Sequence, residues 1–116
     1  MYIFGTIKSE YLYGTGDVDA IYGLDGNDTL FGFGGDDALT GGAGADLLYG
    51  GGGRDTACYW DSATGVYVDL HLGIGRHGTA EGDRLFDIES VYGSEFSDSL
   101  FGDKWDNDLS GGGGID

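Results

Sequence analysis

The sequence predicts an all-β fold, a flattened solenoid of short parallel strands joined by glycine-rich turns. Three observations predict it. Glycine recurs every nine residues from Gly5 through Gly14, Gly23, Gly32 and Gly41 to Gly50. Within each nine-residue unit the sixth position is acidic and the eighth is apolar. The 116 residues include 26 glycines, no proline and one cysteine, which excludes a collagen-like helix and any internal disulfide staple.

The turn comes first in each unit. Its acids are Glu10, Asp19, Asp28, Asp37, Asp46 and Asp55. Glycines at positions one, two and four permit the positive φ that a side chain resists. A turn bare of side chains also aims several backbone carbonyls at one point. Carboxylate and carbonyl oxygens are the ligands calcium prefers. A lone turn aspartate usually bonds its own backbone, but six acids on one ruler, each just before an inward apolar residue, point to a repeated cation site.

The strand follows. Three extended residues turn position eight to one face and positions seven and nine to the other. Position eight is Leu12, Ile21, Leu30, Leu39, Leu48 and Ala57, so it is the expected core. Two units make one 18-residue coil, with odd units in one sheet and even units in the other. Turns two units apart then become neighbours. One outer face collects Tyr11, Tyr13, Thr29, Phe31, Leu47 and Tyr49; the other collects Ala20, Tyr22, Ala38, Thr40, Thr56 and Cys58.

Residues 59–92 are less regular. "GVYVDLHLG" alternates, with Val66, Val68, Leu70 and Leu72 on one face, and reads as a longer half-buried strand. "GTAEGDRLF" keeps Gly78, Asp83 and Leu85 in phase, and "DIESVY" reads as a shortened unit with Glu89 in the acid position and Val91 inward. Ala57 and Val91 lie 34 residues apart, two short of two coils, so the segment reads as two more coils with one altered turn. The phase returns in "GSEFSDSLF" (93–101) and "GDKWDNDLS" (102–110), and residues 111–116 form the turn half of another unit, as in a piece of something longer. The reading is one domain: a first array at 5–58, atypical coils at 59–92 and a second, truncated array at 93–116.

The units at 41–49 and 50–58, "GGAGADLLY" and "GGGGRDTAC", closely match the nonapeptide G-G-x-G-x-D-x-U-x, in which U is a large apolar residue. On these residues the chain resembles the RTX, or hemolysin-type, calcium-binding family. The resemblance implies a right-handed parallel β-roll in which each calcium lies between two neighbouring turns and is held by the position-six acids of both. Carried onto this chain, the pairs are Glu10 with Asp28, Asp19 with Asp37, Asp28 with Asp46, and Asp37 with Asp55, with carbonyls from Gly26, Gly35, Gly44 and Gly53. Asp83, Asp98 and Asp116 are further expected ligands, for roughly four to six calcium ions in all. Lys8 and Asp17 stand where glycine belongs, and Asn107 replaces an aspartate. Those turns depart from the pattern.

The net charge is −16, which opposes binding to nucleic acid or to an anionic membrane. The first ten residues, "MYIFGTIKSE", form no Sec-type leader, and no stretch reaches membrane-spanning length. No nucleophile elbow, H-E-x-x-H zinc motif or phosphate loop occurs, so the chain reads as non-catalytic. The resemblance implies a secreted bacterial protein exported by a type I system, with an export signal beyond Asp116, that folds on calcium outside the cell. Two alternatives stand beside a pure folding module. One is a carbohydrate-binding or adhesive module of an extracellular enzyme such as an alginate-modifying one, using the Tyr11, Tyr13, Phe31 and Tyr49 face for a polysaccharide or a neighbouring domain. The other is an enzyme in its own right, which a turnover assay of the chain would reveal and which the missing motifs argue against; separately, an open solenoid end invites end-to-end self-association of two copies.

Overall fold

The computed structural model describes residues 1–103 and 107–111. Among them are thirteen strands, each three residues long, because the nine-residue unit leaves only three residues outside its turn. In chain order they are β1 (Tyr2–Phe4), β2 (Tyr11–Tyr13), β3 (Ala20–Tyr22), β4 (Thr29–Phe31), β5 (Ala38–Thr40), β6 (Leu47–Tyr49) and β7 (Thr56–Cys58). They continue as β8 (Tyr67–Asp69), β9 (Ile74–Arg76), β10 (Arg84–Phe86), β11 (Ser90–Tyr92), β12 (Ser99–Phe101) and β13 (Asp108–Ser110). A single 3-10 turn, Gly78–Ala80, precedes β10.

Odd and even units separate into two sheets, as the period requires. One sheet runs β1-β3-β5-β7-β11-β13 and is parallel throughout. The other runs β12-β8-β9-β10-β6-β4-β2. From β1 to β7 neighbouring strands of each sheet lie 18 residues apart, so position-eight residues stack in register: Ile3, Ile21, Leu39 and Ala57 on one side, Leu12, Leu30 and Leu48 on the other. Ile21, Leu30, Leu39, Leu48 and Ala57 are fully buried and form the core with Val68, Leu85 and Val91. A parallel β-roll is therefore the observed architecture.

The middle departs from the sequence reading in two ways. First, Val91 pairs with Ala57 directly, so 34 residues span one coil of the first sheet, not two. The excess chain enters the second sheet instead. There β9 lies antiparallel to both β8 and β10, while β10 continues the parallel stack on β6. Second, the alternating run does not stay extended. Val66, Val68 and Leu70 are buried as expected, but Leu72 is 63% exposed. The Asp69 carboxylate accepts the Leu72 N–H at 3.1 Å, and the Gly73 N–H reaches the Asp69 carbonyl at 2.8 Å. Gly73 takes φ +69°, and the chain turns back into β9.

On the outer face of the second sheet, Tyr13, Phe31, Tyr49 and Phe86 stack in sequence with centroids 5.3, 5.0 and 4.7 Å apart and planes within 5–11° of parallel. Phe33 packs beside Tyr13 and Phe31. Sequence reasoning placed the first three rings on this face; Phe86 joins them because β10 docks in register on β6. Such pairs each contribute about 0.5–1.5 kcal/mol beyond the area they bury.

Candidate metal centres

Each coil step brings the position-six acids together. Asp28 Oδ1 accepts the Glu10 N–H at 3.0 Å, Asp37 Oδ1 the Asp19 N–H at 2.8 Å, Asp46 Oδ1 the Asp28 N–H at 2.8 Å, and Asp55 Oδ1 the Asp37 N–H at 2.9 Å. All four pairs implied by the resemblance are thus neighbours. Two later acids extend the rows: Asp83 Oδ1 accepts the Asp46 N–H at 2.7 Å, and Glu89 Oε1 the Asp55 N–H at 2.7 Å. One oxygen of every such carboxylate is a structural acceptor that closes the gap between coils.

The second oxygen differs from turn to turn. In Asp28, Asp37, Asp46 and Asp55 it is buried with no hydrogen-bond partner. These residues are no more than 2% exposed. Leaving a buried polar atom unpaired costs about 1–3 kcal/mol, more for a charged group, so four in series fit a bound cation.

Burial pushes the Asp46 carboxyl up to about 9 and that of Asp55 to about 7. It also raises Asp28 and Asp37. Asp19 moves the other way: the Thr15 N–H on its carboxylate holds it below the usual value. Unfolded aspartates ionise near 4. Between about 4 and 7–9, folding without metal takes up protons, so the metal-free fold weakens as pH rises through that window. A cation reverses this by expelling the protons. The calcium concentration giving half-saturation should therefore fall as pH rises from 5 to 8, with proton release detected by calorimetry in buffers of different ionisation enthalpy.

The backbone around these oxygens fits a hard cation. In residues 23–28, 32–37, 41–46 and 50–55, positions two and four both take positive φ: Leu24 and Gly26, Phe33 and Gly35, Gly42 and Gly44, Gly51 and Gly53. A Cβ on Gly44 would strike the Gly26 carbonyl oxygen, and one on Gly42 that of Leu24; Gly53 and Gly51 meet Gly35 and Phe33 likewise. The carbonyls of Leu24, Gly26, Phe33 and Gly35 thus face the next turn on the same edge. Leu24 and Phe33 were not expected from sequence as carbonyl donors; the available signal was their alignment with Gly42 and Gly51.

The position-one glycines have a different reason from the one expected. None of the six in the first array has positive φ. A Cβ on Gly23 would instead lie 2.7 Å from both Asp28 Oδ2 and the Gly41 carbonyl oxygen. Glycine there keeps open the space beside the unpartnered oxygen.

No group of three or more His, Cys, Asp or Glu side chains converges among the described residues. An ion here must draw on main-chain carbonyls as well as carboxylates. An all-oxygen donor set without nitrogen or sulfur suits calcium and disfavours zinc or copper.

A family model for the RTX calcium-binding nonapeptide repeat matches the chain in four copies, over residues 4–37, 13–48, 34–57 and 86–116. The chain belongs to this family. It is a family of calcium-binding structural modules, so the RTX repeats account for the oxygen-lined turns. No curated protein matches the chain.

The remaining expected ligands have varied surroundings. Asp98 Oδ1 accepts the Ser94 hydroxyl at 2.7 Å and the Val66 N–H at 2.8 Å. Asn107, in an acid position, accepts the Asp103 N–H at 2.8 Å and donates to the Glu89 carbonyl at 3.0 Å. Asp116 lies outside the described residues. Sequence reasoning missed Tyr59, which is fully buried and donates its hydroxyl to Asp83 Oδ2 at 3.0 Å.

Proposed function

We propose that this chain is a calcium-dependent folding module of a secreted bacterial protein, exported unfolded and made compact by extracellular calcium. One observation carries the reading: four buried aspartate oxygens without partners, each in a turn whose glycines keep the space beside it clear. Calcium would be held by Asp28, Asp37, Asp46 and Asp55, with carbonyls from Gly26, Gly35, Gly44 and Gly53. Four dications would halve the charge of −16 and with it most of the self-repulsion of the compact state. Extracellular calcium modules commonly bind with Kd of about 10⁻⁴–10⁻³ M, which matches a switch between cytosol and exterior. Among the described residues no helix is long and apolar enough to cross a membrane.

The polysaccharide reading is less well supported. Sugar docking on aromatics uses open ring faces, whereas the faces of Phe31 and Tyr49 are turned onto neighbouring rings. The ladder's evident role is to hold the sheet.

Far-UV circular dichroism during a calcium titration tests the proposal. The expected result is a cooperative gain of β signal with calcium and little with magnesium, whose strict octahedral demand fits these turns poorly. Equal responses to the two ions would overturn the assignment to calcium.

A further inference from the structure

We propose that position two of each turn in the first array decides whether that turn takes a cation, and that the hydroxyls of Thr6 and Thr15 are this chain's own substitute for calcium at the two turns that precede the loaded row. The proposal rests on the calcium-module reading above and narrows it to particular turns.

The turns of the first array fall into two groups. In the open group, residues 23–28, 32–37, 41–46 and 50–55, positions two and four have positive φ and the acid keeps an unpartnered Oδ2. In the closed group neither holds. Thr15 and Asp17 lack positive φ. The Thr15 N–H donates to Asp19 Oδ2 at 2.6 Å, and its hydroxyl lies 3.0 Å from both carboxylate oxygens. The Asp17 N–H then closes onto the Thr15 hydroxyl oxygen at 3.1 Å. Residues 5–10 repeat the device: the Thr6 N–H donates to Glu10 Oε1 at 2.5 Å, and the Lys8 N–H to the Thr6 hydroxyl oxygen at 3.1 Å.

The far side of the row is closed by other means. Asp83 follows Asp46 on its edge, and both its oxygens are already bonded, one to the Asp46 N–H and one to the Tyr59 hydroxyl. Glu89 follows Asp55 on the other edge, in a turn of only three residues, Asp87 to Glu89, between β10 and β11.

The physics is a competition for one carboxylate. A peptide N–H and a hydroxyl aim positive hydrogens at the oxygens a cation would need, and charge-assisted bonds of this kind are about twice as strong as neutral ones. Calcium would have to displace them, although the position-four carbonyls of Lys8 and Asp17 face the next turn as those of Gly26 and Gly35 do. Leucine, phenylalanine or glycine at position two offers no hydroxyl, so the turn stays open. The flanking turns thus fold without metal, and loading is confined to the turns between them.

Calcium stoichiometry of the full chain, measured by equilibrium dialysis at saturating calcium, tests this. Asp37→Asn should bind one ion fewer than wild type, and Asp19→Asn, of the same shape, should bind the same number. The double change Thr15→Gly with Asp17→Gly should open the turn and add one ion. Equal losses in Asp19→Asn and Asp37→Asn would overturn the proposal, as would no gain in an opened variant that still folds by circular dichroism. Should the opened variant not fold, the asparagine pair decides alone. A wild-type chain that binds no calcium removes the underlying calcium reading and this proposal with it, an outcome distinct from equal losses in the two variants.

Discussion

Asp46→Ala should leave the chain unfolded at calcium concentrations that fold the native sequence. The side chain does two things at once. Its Oδ1 accepts the Asp28 N–H at 2.8 Å across the coil boundary, and its Oδ2 is one of the unpartnered buried oxygens. Truncation strands the buried N–H, at about 1–3 kcal/mol, and removes a cation site contributing about 2.7 kcal/mol when calcium is a hundredfold above Kd. Together these approach the net stability of a small domain, about 5–15 kcal/mol. Asp46→Asn separates the two effects, because the amide oxygen still accepts the N–H while the charge is lost. The expected order of calcium midpoints, followed by circular dichroism, is wild type, then Asp46→Asn, then Asp46→Ala with no transition in the accessible range. Similar midpoints for Asp46→Ala and wild type would contradict the role given to this residue.

Gly44→Ala should be nearly as damaging, while Gly52→Ala, eight residues on, should be harmless. Gly44 has φ +104°, and its added Cβ would meet the Gly26 carbonyl oxygen. Left-handed backbone alone costs a non-glycine residue roughly 1–2 kcal/mol, and the clash would push away a carbonyl of the site. Gly52 has nothing within 4 Å of a built Cβ and no positive φ. Alanine there should stabilise by about 0.4–1 kcal/mol through the unfolded chain. Urea midpoints at fixed calcium measure both. A fall in both variants would mean that glycine is needed for overall turn flexibility and not position by position.

Much of this architecture was legible because its period is short and its register local. Once glycine, acid and apolar residue share one ruler, strands of three residues and a coil of 18 follow, and Ile21, Leu30 and Leu39 can go nowhere but inward. The shortened unit was legible too: Val91 is buried, and Glu89 caps the Asp55 N–H. The insert between β7 and β10 was not. Its length suggested two coils, but length does not say which sheet takes the extra chain, and an antiparallel β9 depends on pairing across the molecule. Tyr59 was hidden for a similar reason. It stands where the ruler expects glycine, and only the fold brings it to Asp83, 24 residues away. Thr6 and Thr15 were plain in the sequence at position two. Their significance rests on which turns adopt positive φ, a property of the backbone that the glycine count alone did not assign.

The central claim is that ions held in the turns make this acidic, glycine-rich chain compact. Small-angle scattering before and after exhaustive chelation tests it most directly. With calcium the radius of gyration should approach the 12.5 Å of the folded chain; without it the value should rise toward about 35 Å, as for an unfolded chain of this length. A chelated sample that keeps the compact value would contradict the account.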